Sequence, residues 1–124
     1  MADTASFSHQ RWSDLPLETL NPLIDRHFVV GEQVMLARIL LKKGAVVPEH
    51  HHLNEQVTWV LEGALEFAIG GQKVVVRAGE VLCIPPYMPH AATALEDTVD
   101  IDVFTPPRAD WMGKTDAYLR AGAR

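Results

Sequence analysis

The sequence predicts an all-β protein, folded as one antiparallel β-barrel or double-sheet jelly roll with a short C-terminal helix. Three observations predict it. From about Pro22 onward the chain is written as short apolar runs broken by Gly, Pro and acidic turn residues, the punctuation of hairpins rather than of helices. About eight or nine such runs leave no room for the long crossovers that parallel strands need. The length of 124 residues, 48% of them hydrophobic, is enough to fill a single compact core.

The elements follow in order. Residues 1–21 form a polar N-terminal segment, expected to be partly flexible or to exchange a strand with a second copy. The barrel is expected over residues 22–108. Residues 27–30 and 34–41 read as two strands joined by a tight turn at Gly31-Glu32, and Lys42-Lys43-Gly44 closes the second. A strand over 57–61 stops at Glu62-Gly63. Strands over 65–69 and 74–76 flank Gly70-Gly71, a pair able to take the positive φ that a two-residue hairpin demands. After the Ala78-Gly79 turn, a strand over 81–84 ends at Pro85-Pro86, because proline cannot donate to a sheet ladder. Glu96-Asp97 separates two last strands, over 90–95 and 99–104. Beyond Pro106-Pro107, residues 109–124 form a C-terminal helix and tail, with Trp111, Tyr118 and Leu119 placed to pack on the barrel.

Charge narrows the partners. A net charge of −5 with scattered basic residues excludes the clustered Lys and Arg that nucleic acid needs. No apolar run is long enough for a membrane span, and residues 1–12 lack the basic-then-apolar pattern of a leader. The single Cys83, between Leu82 and Ile84, reads as a buried free thiol in a reducing compartment. Together these lead to an expectation of a cytoplasmic protein with a small-molecule partner.

The most informative stretch runs from Gly44 to Gly63 and contains His50, His51, His52, Glu55 and Gln56. If it is extended, His50, His52 and Gln56 share one face, while His51 and Glu55 point away. Two imidazoles and an oxygen donor on one face can converge on a divalent cation. His90, opening a strand after the stiff Pro85-Pro86-Tyr87-Met88-Pro89 turn, is the candidate fourth ligand. The bland alternative is an exposed histidine run, although an internal position argues against a tag. Glu55 could replace Gln56 only if the strand slipped by one residue. His9 reads as solvated tail. His27 reads as a packed or surface imidazole, with a place in a substrate pocket as the alternative.

These spacings resemble the two sequence motifs of the cupin superfamily. The first is Gly, five residues, His-x-His, three residues, an acidic ligand, six residues, Gly, and Gly44, His50, His52, Gln56 and Gly63 fall on it. Gly79, Pro85 and His90 fall on the second, with Tyr87 and Ala94 standing where that motif has Gly and Asn. Gln56 stands where most cupins carry a glutamate. The resemblance therefore implies a neutral ligand shell of three histidines and a glutamine, which favours Lewis-acid work over stabilising an oxidised iron. Zn, Ni or Mn is expected, with Fe as the alternative.

Towards the C-terminus, Asp100, Asp102 and Phe104 share strand parity, and Arg108 follows two prolines. Facing inward they would add an acid, an aromatic wall and a cationic fork to the metal site; facing outward they would be ordinary surface charges. Across residues 22–112 the run resembles the small single-domain cupins of the KdgF type, which act in pectin degradation. That resemblance implies conversion of 4,5-unsaturated uronates to linear ketonised sugars, with Asp102, Phe104 and Arg108 in acid-base, stacking and carboxylate-binding roles. It also implies a homodimer. The competing readings are an iron-dependent cupin dioxygenase and a non-catalytic sugar- or metabolite-binding module.

Overall fold

The computed structural model describes residues 6–120, and ten strands account for most of them. They are β1 (Glu18–Asn21), β2 (Ile24–Val30), β3 (Met35–Leu41), β4 (Val46–His50), β5 (Glu55–Glu62), β6 (Ala64–Ile69), β7 (Gln72–Arg77), β8 (Val81–Ile84), β9 (His90–Ala94) and β10 (Thr98–Thr105). One sheet has six strands in the order β1-β2-β3-β10-β5-β8, and the other has four in the order β4-β9-β6-β7. Every pairing is antiparallel. The all-β, two-sheet expectation holds.

Alternation along the strands explains the core. In β3 the residues Met35, Ala37, Ile39 and Leu41 are buried while the intervening ones are only partly so, the period-two signature of one face turned inward. β10 lies between β3 and β5 and carries Asp100, Asp102 and Phe104 inward in register with Ile39, Ala37 and Met35. Of the two orientations the sequence left open for this face, the structure has the inward one. Two sharp turns shape the barrel, one within the four-stranded sheet and one where the chain crosses between sheets. Gly70 and Gly71 have φ of 59° and 74°, the geometry of the β6-β7 hairpin. Gly63 has φ 86°, and a Cβ there would sit 2.3 Å from the Asp97 carbonyl oxygen.

Four expectations need correction. The sheet begins at Glu18 rather than at residue 22, because β1 pairs with β2 of its own chain. The histidine stretch is not one extended strand: β4 ends at His50 and β5 starts at Glu55, in different sheets. The C-terminal helix is two single turns, α1 (Ala109–Met112) and α2 (Ala117–Arg120), parted where Lys114 takes φ 57°. Cys83 is exposed, since β8 is an edge strand and Cys83 points to its outer side. Residues 1–5 and 121–124 of the expected tails lie outside the described residues.

The C-terminal turns are fastened to the barrel. Asn21 Nδ2 donates to the Leu119 carbonyl at 2.9 Å. Buried Arg26 donates from Nη1 to buried Asp116 at 2.5 Å and from Nε to Glu18 at 3.2 Å. Glu18 also receives Lys114 and Arg120, and Asp116 receives Arg120. Deleting one member of such a buried pair strands the other charge, so α2 cannot be detached without a large penalty. Among the described residues no helix is long and apolar enough to cross a membrane.

Candidate metal centre and its cavity

Three imidazoles meet at one end of the barrel. His50 closes β4 and His90 opens β9, and the two are paired across the four-stranded sheet. His52 sits in the loop that carries the chain over to the six-stranded sheet. One ring nitrogen from each can be chosen so that all three lie within 4.8 Å of one another. The rings converge because the chain crosses between sheets, not because of strand parity.

Each ring is oriented by main chain. His50 Nδ1 lies 2.8 Å from the Pro48 carbonyl, His52 Nδ1 3.0 Å from that of Asn54, and His90 Nδ1 2.8 Å from that of Met88. A carbonyl only accepts, so each Nδ1 carries the proton and each Nε2 is a bare lone pair. Burial favours the neutral form as well. It pushes the pKa of His50 down to about 3 and of His52 to about 4, and lowers that of His90, with the Arg108 charge adding to the effect. Neutral imidazoles with free Nε2 are what a cation requires.

Gln56 supplies a further donor, and its geometry tests whether a cation fits. Its Nε2 donates to Thr58 Oγ1 at 2.9 Å, and Thr58 Oγ1 donates to Asp102 Oδ1 at 2.6 Å. That chain turns Gln56 Oε1 toward His52 Nε2, at 3.1 Å. Two lone pairs then face each other, a repulsive arrangement unless a cation lies near both. His90 Nε2 is buried without a partner, which points the same way. The residues fit a divalent ion held by His50, His52, His90 and Gln56. His51 and Glu55 are exposed and His9 lies in an exposed segment. Buried His27 meets Arg38 and Trp12 instead of the cavity, so it is a packed imidazole.

Beside the ligands lies a cavity of about 50 Å³ lined by His50, Gln56, His90, Asp102, Arg108 and Tyr118, among others. Asp102 is buried, and desolvation raises its pKa to about 6, with the Thr58 hydrogen bond pulling the other way. Such a group can both give and take a proton near neutrality. Asp100 is pushed up further by burial and by the neighbouring Asp102 charge.

Two expected roles change. Arg108 is buried, but its fork is engaged: Nε and Nη2 donate to Asp110 at 2.9 and 2.7 Å, and Nη2 also donates to Tyr118 Oη at 2.7 Å. Phe104 is 1% exposed, edge-on to His52 and Trp111, with the Arg108 guanidinium over its ring at 5.0 Å. It forms a wall of the cavity, not an open stacking platform. Sequence reasoning missed Thr58 and Arg26, and gave Tyr118 a packing role on the barrel without placing it at the site. Thr58 and Arg26 had a signal, since each shares parity with inward neighbours, Gln56 and Ile24. Tyr118, stacked on His50 with ring centroids 4.5 Å apart, had only its composition. Tyr87, at the motif glycine, takes φ 65° and donates from its backbone N–H to the His52 carbonyl at 2.7 Å, so the left-handed turn is kept despite the side chain.

Comparison with known proteins shows the family and the fold. A family model described as Cupin domain matches residues 37–104, more than half of the chain. The pectin degradation protein KdgF of Dickeya dadantii (strain 3937) is 29% identical over 102 residues, covering 80% of this chain and 93% of that protein. The structure of KdgF from a Halomonas species superposes with a TM-score of 0.80 at 28% identity, covering 86% of this chain and 99% of that one. An RmlC-like cupin from Shewanella frigidimarina NCIMB 400 gives 0.79 at 27% identity, covering 86% and 96%.

Proposed function

Because the chain belongs to the cupin domain family, we propose that its histidine-lined cavity is the active site of a metal-dependent enzyme. The proposed reaction is conversion of 4,5-unsaturated uronates to linear ketonised sugars. Similarity to the KdgF proteins supports the pathway class. The observation that carries the chemistry is the continuous chain from Gln56 through Thr58 to Asp102: it links a neutral ligand to a buried acid beside the same cavity.

When bound, a divalent ion such as Zn, Ni or Mn supplies Lewis-acid polarisation of a substrate oxygen. The protein does the rest. Thr58 fixes the Asp102 carboxyl, which moves a proton from the enol oxygen side to carbon as the ketone forms. Burial keeps the ligand imidazoles neutral, and the Arg108 charge beside the cavity adds to that effect. Phe104 and Trp111 wall off water from the reacting atoms. The cavity is far smaller than the roughly 300–1,000 Å³ of pockets that hold drug-sized ligands, so a sugar acid needs side chains of the lining, such as that of Tyr118, to turn aside.

Asp102→Asn is expected to keep metal content while slowing turnover of an unsaturated uronate by about 10²–10⁴-fold, the usual contribution of a positioned acid-base group. Undiminished turnover would remove Asp102 from the mechanism. Binding of the uronate without any turnover would identify a binding module, and oxygen consumption with iron would identify a dioxygenase.

A homodimer is part of the same proposal. Trp59, Leu61 and Val81 are exposed on the outer face of the six-stranded sheet, where Trp59 and Val81 are cross-strand partners. Contiguous apolar surface of this kind is what a second copy would cover.

A further inference from the structure

Five buried side-chain polar atoms lack a hydrogen-bond partner among the described residues: Arg26 Nη2, His27 Nδ1, His90 Nε2, Asp100 Oδ1 and Trp111 Nε1. Native interiors leave few such atoms, and each one asks for an explanation. Four of the five belong to residues lining the cavity beside the metal ligands. His90 Nε2 is accounted for by a metal. Two donors without a well-formed bond remain, Trp111 Nε1 having only the Tyr118 hydroxyl near it, and they belong to one stacked unit, for the Arg26 guanidinium lies over the Trp111 ring at 4.3 Å.

We propose that Arg26 Nη2 and Trp111 Nε1 form the subsite that takes the carboxylate of an anionic ligand, the role expected of Arg108. The proposal rests on the sugar-acid reading of the site and names the group that recognises the acid.

Charge separates the two arginines. Arg108 faces Asp110 bidentately and directs its remaining Nη2 bond to Tyr118, so one cation meets one anion. Arg26 belongs to a network in which the carboxylates Glu18 and Asp116 are shared with Lys114 and Arg120 as well. Two anions among three cations leave net positive charge, and an N–H of Arg26 remains without an acceptor. A buried cation with an open donor favours a carboxylate over a neutral hydroxyl, because the bond is then charge-assisted. Arg26 also sits on the right wall: it is paired with Ile39, which is paired in turn with Asp100. Nη2 can donate to a carboxylate while Nη1 and Nε keep Asp116 and Glu18, and Trp111 Nε1 beside it supplies the second donor.

The test is calorimetric titration of the metal-loaded full chain with galacturonate, a saturated uronate, with neutral galactose, and with tartrate, a hydroxy-dicarboxylate that is no sugar. Galacturonate is expected to bind at least tenfold more tightly than galactose. Arg26→Lys should weaken galacturonate by tenfold or more and Trp111→Phe by about threefold, with metal content and Tm near those of the unaltered protein and galactose binding within twofold. Trp111→Phe leaves every ion pair of Arg26 intact and decides the matter if Arg26→Lys does not fold. If folded variants bind both acids as the unaltered protein does, the two donors hold only water and the subsite is wrong. Failure of all carboxylates to bind the unaltered protein overturns it equally. If tartrate binding depends on Arg26 while galacturonate does not bind at all, the subsite stands and the uronate reading falls.

Discussion

Replacing Thr58 by Val tests whether the glutamine ligand is held in place by the acid. Thr58 is fully buried, donates to Asp102 and accepts from Gln56, and valine matches its shape without the hydroxyl. In the unaltered protein the Gln56 amide cannot turn over: its NH₂ would leave Thr58, and the Thr58 proton is committed to Asp102. In the Thr58→Val variant that restraint is gone. The metal-free amide then flips, and its NH₂ donates to the bare Nε2 of His52, 3.1 Å from where the oxygen stood. Metal must break this new bond and restore the old orientation. A net hydrogen bond of about 0.5–1.5 kcal/mol, plus a few tenths for the freed rotor, gives roughly 1–2 kcal/mol, or about 5- to 30-fold weaker metal binding. Competition against a chromophoric chelator measures it. Thr58→Ser keeps the hydroxyl and should restore affinity. Unaltered affinity in Thr58→Val would refute the reasoning, because Gln56 would then be oriented by something other than Thr58, or would not be a ligand.

Three further expectations follow from buried groups and from the outer face. Asp100 has a raised pKa, so its stabilising protonated form is complete below the ordinary carboxylate value of about 4 and is lost as pH rises through the raised value. Asp100→Asn should therefore gain Tm relative to the unaltered protein as pH rises from about 4 to 8, measured with chelator present; parallel curves would show that Asp100 ionises freely. Gly63→Ala places a Cβ against the Asp97 carbonyl at a positive φ, and denaturant unfolding should show a loss of at least about 2 kcal/mol. An unchanged midpoint would mean that the β5-β6 turn relaxes. Trp59→Glu puts a charge on the exposed apolar face and should yield monomers by sedimentation at concentrations where the unaltered chain is dimeric; a persistent dimer would place the interface elsewhere.

Much of the barrel was legible because turn residues punctuate it. The β6-β7 hairpin follows from Gly70-Gly71, and parity puts Asp100, Asp102 and Phe104 on one face of β10, though only burial shows that the face is inward. The convergence of the histidines was also legible, though for a reason that only partly holds. Parity along one strand selected His50, His52 and Gln56, whereas the chain in fact changes sheets between them. Cys83 misled because apolar neighbours do not tell an edge strand from a central one. What stayed hidden depends on distant pairing. Arg26 and Asp116 are 90 residues apart, and no local pattern announces that they meet, or that Asp110 and Tyr118 claim the fork of Arg108. The short C-terminal helical segment was legible, but its division into two turns was not, because the tertiary demand to bury Asp116 and stack Tyr118 on His50 outweighs the propensity of a short segment.

The three imidazoles are aimed by the carbonyls of Pro48, Asn54 and Met88. A side chain that orients a ligand can be lost by one substitution, but a peptide carbonyl is present whichever residue carries it. The cavity lining can therefore drift toward new substrates while the histidines keep their aim. A lineage built this way can change what it acts on, residue by residue, without passing through ancestors that have lost their metal.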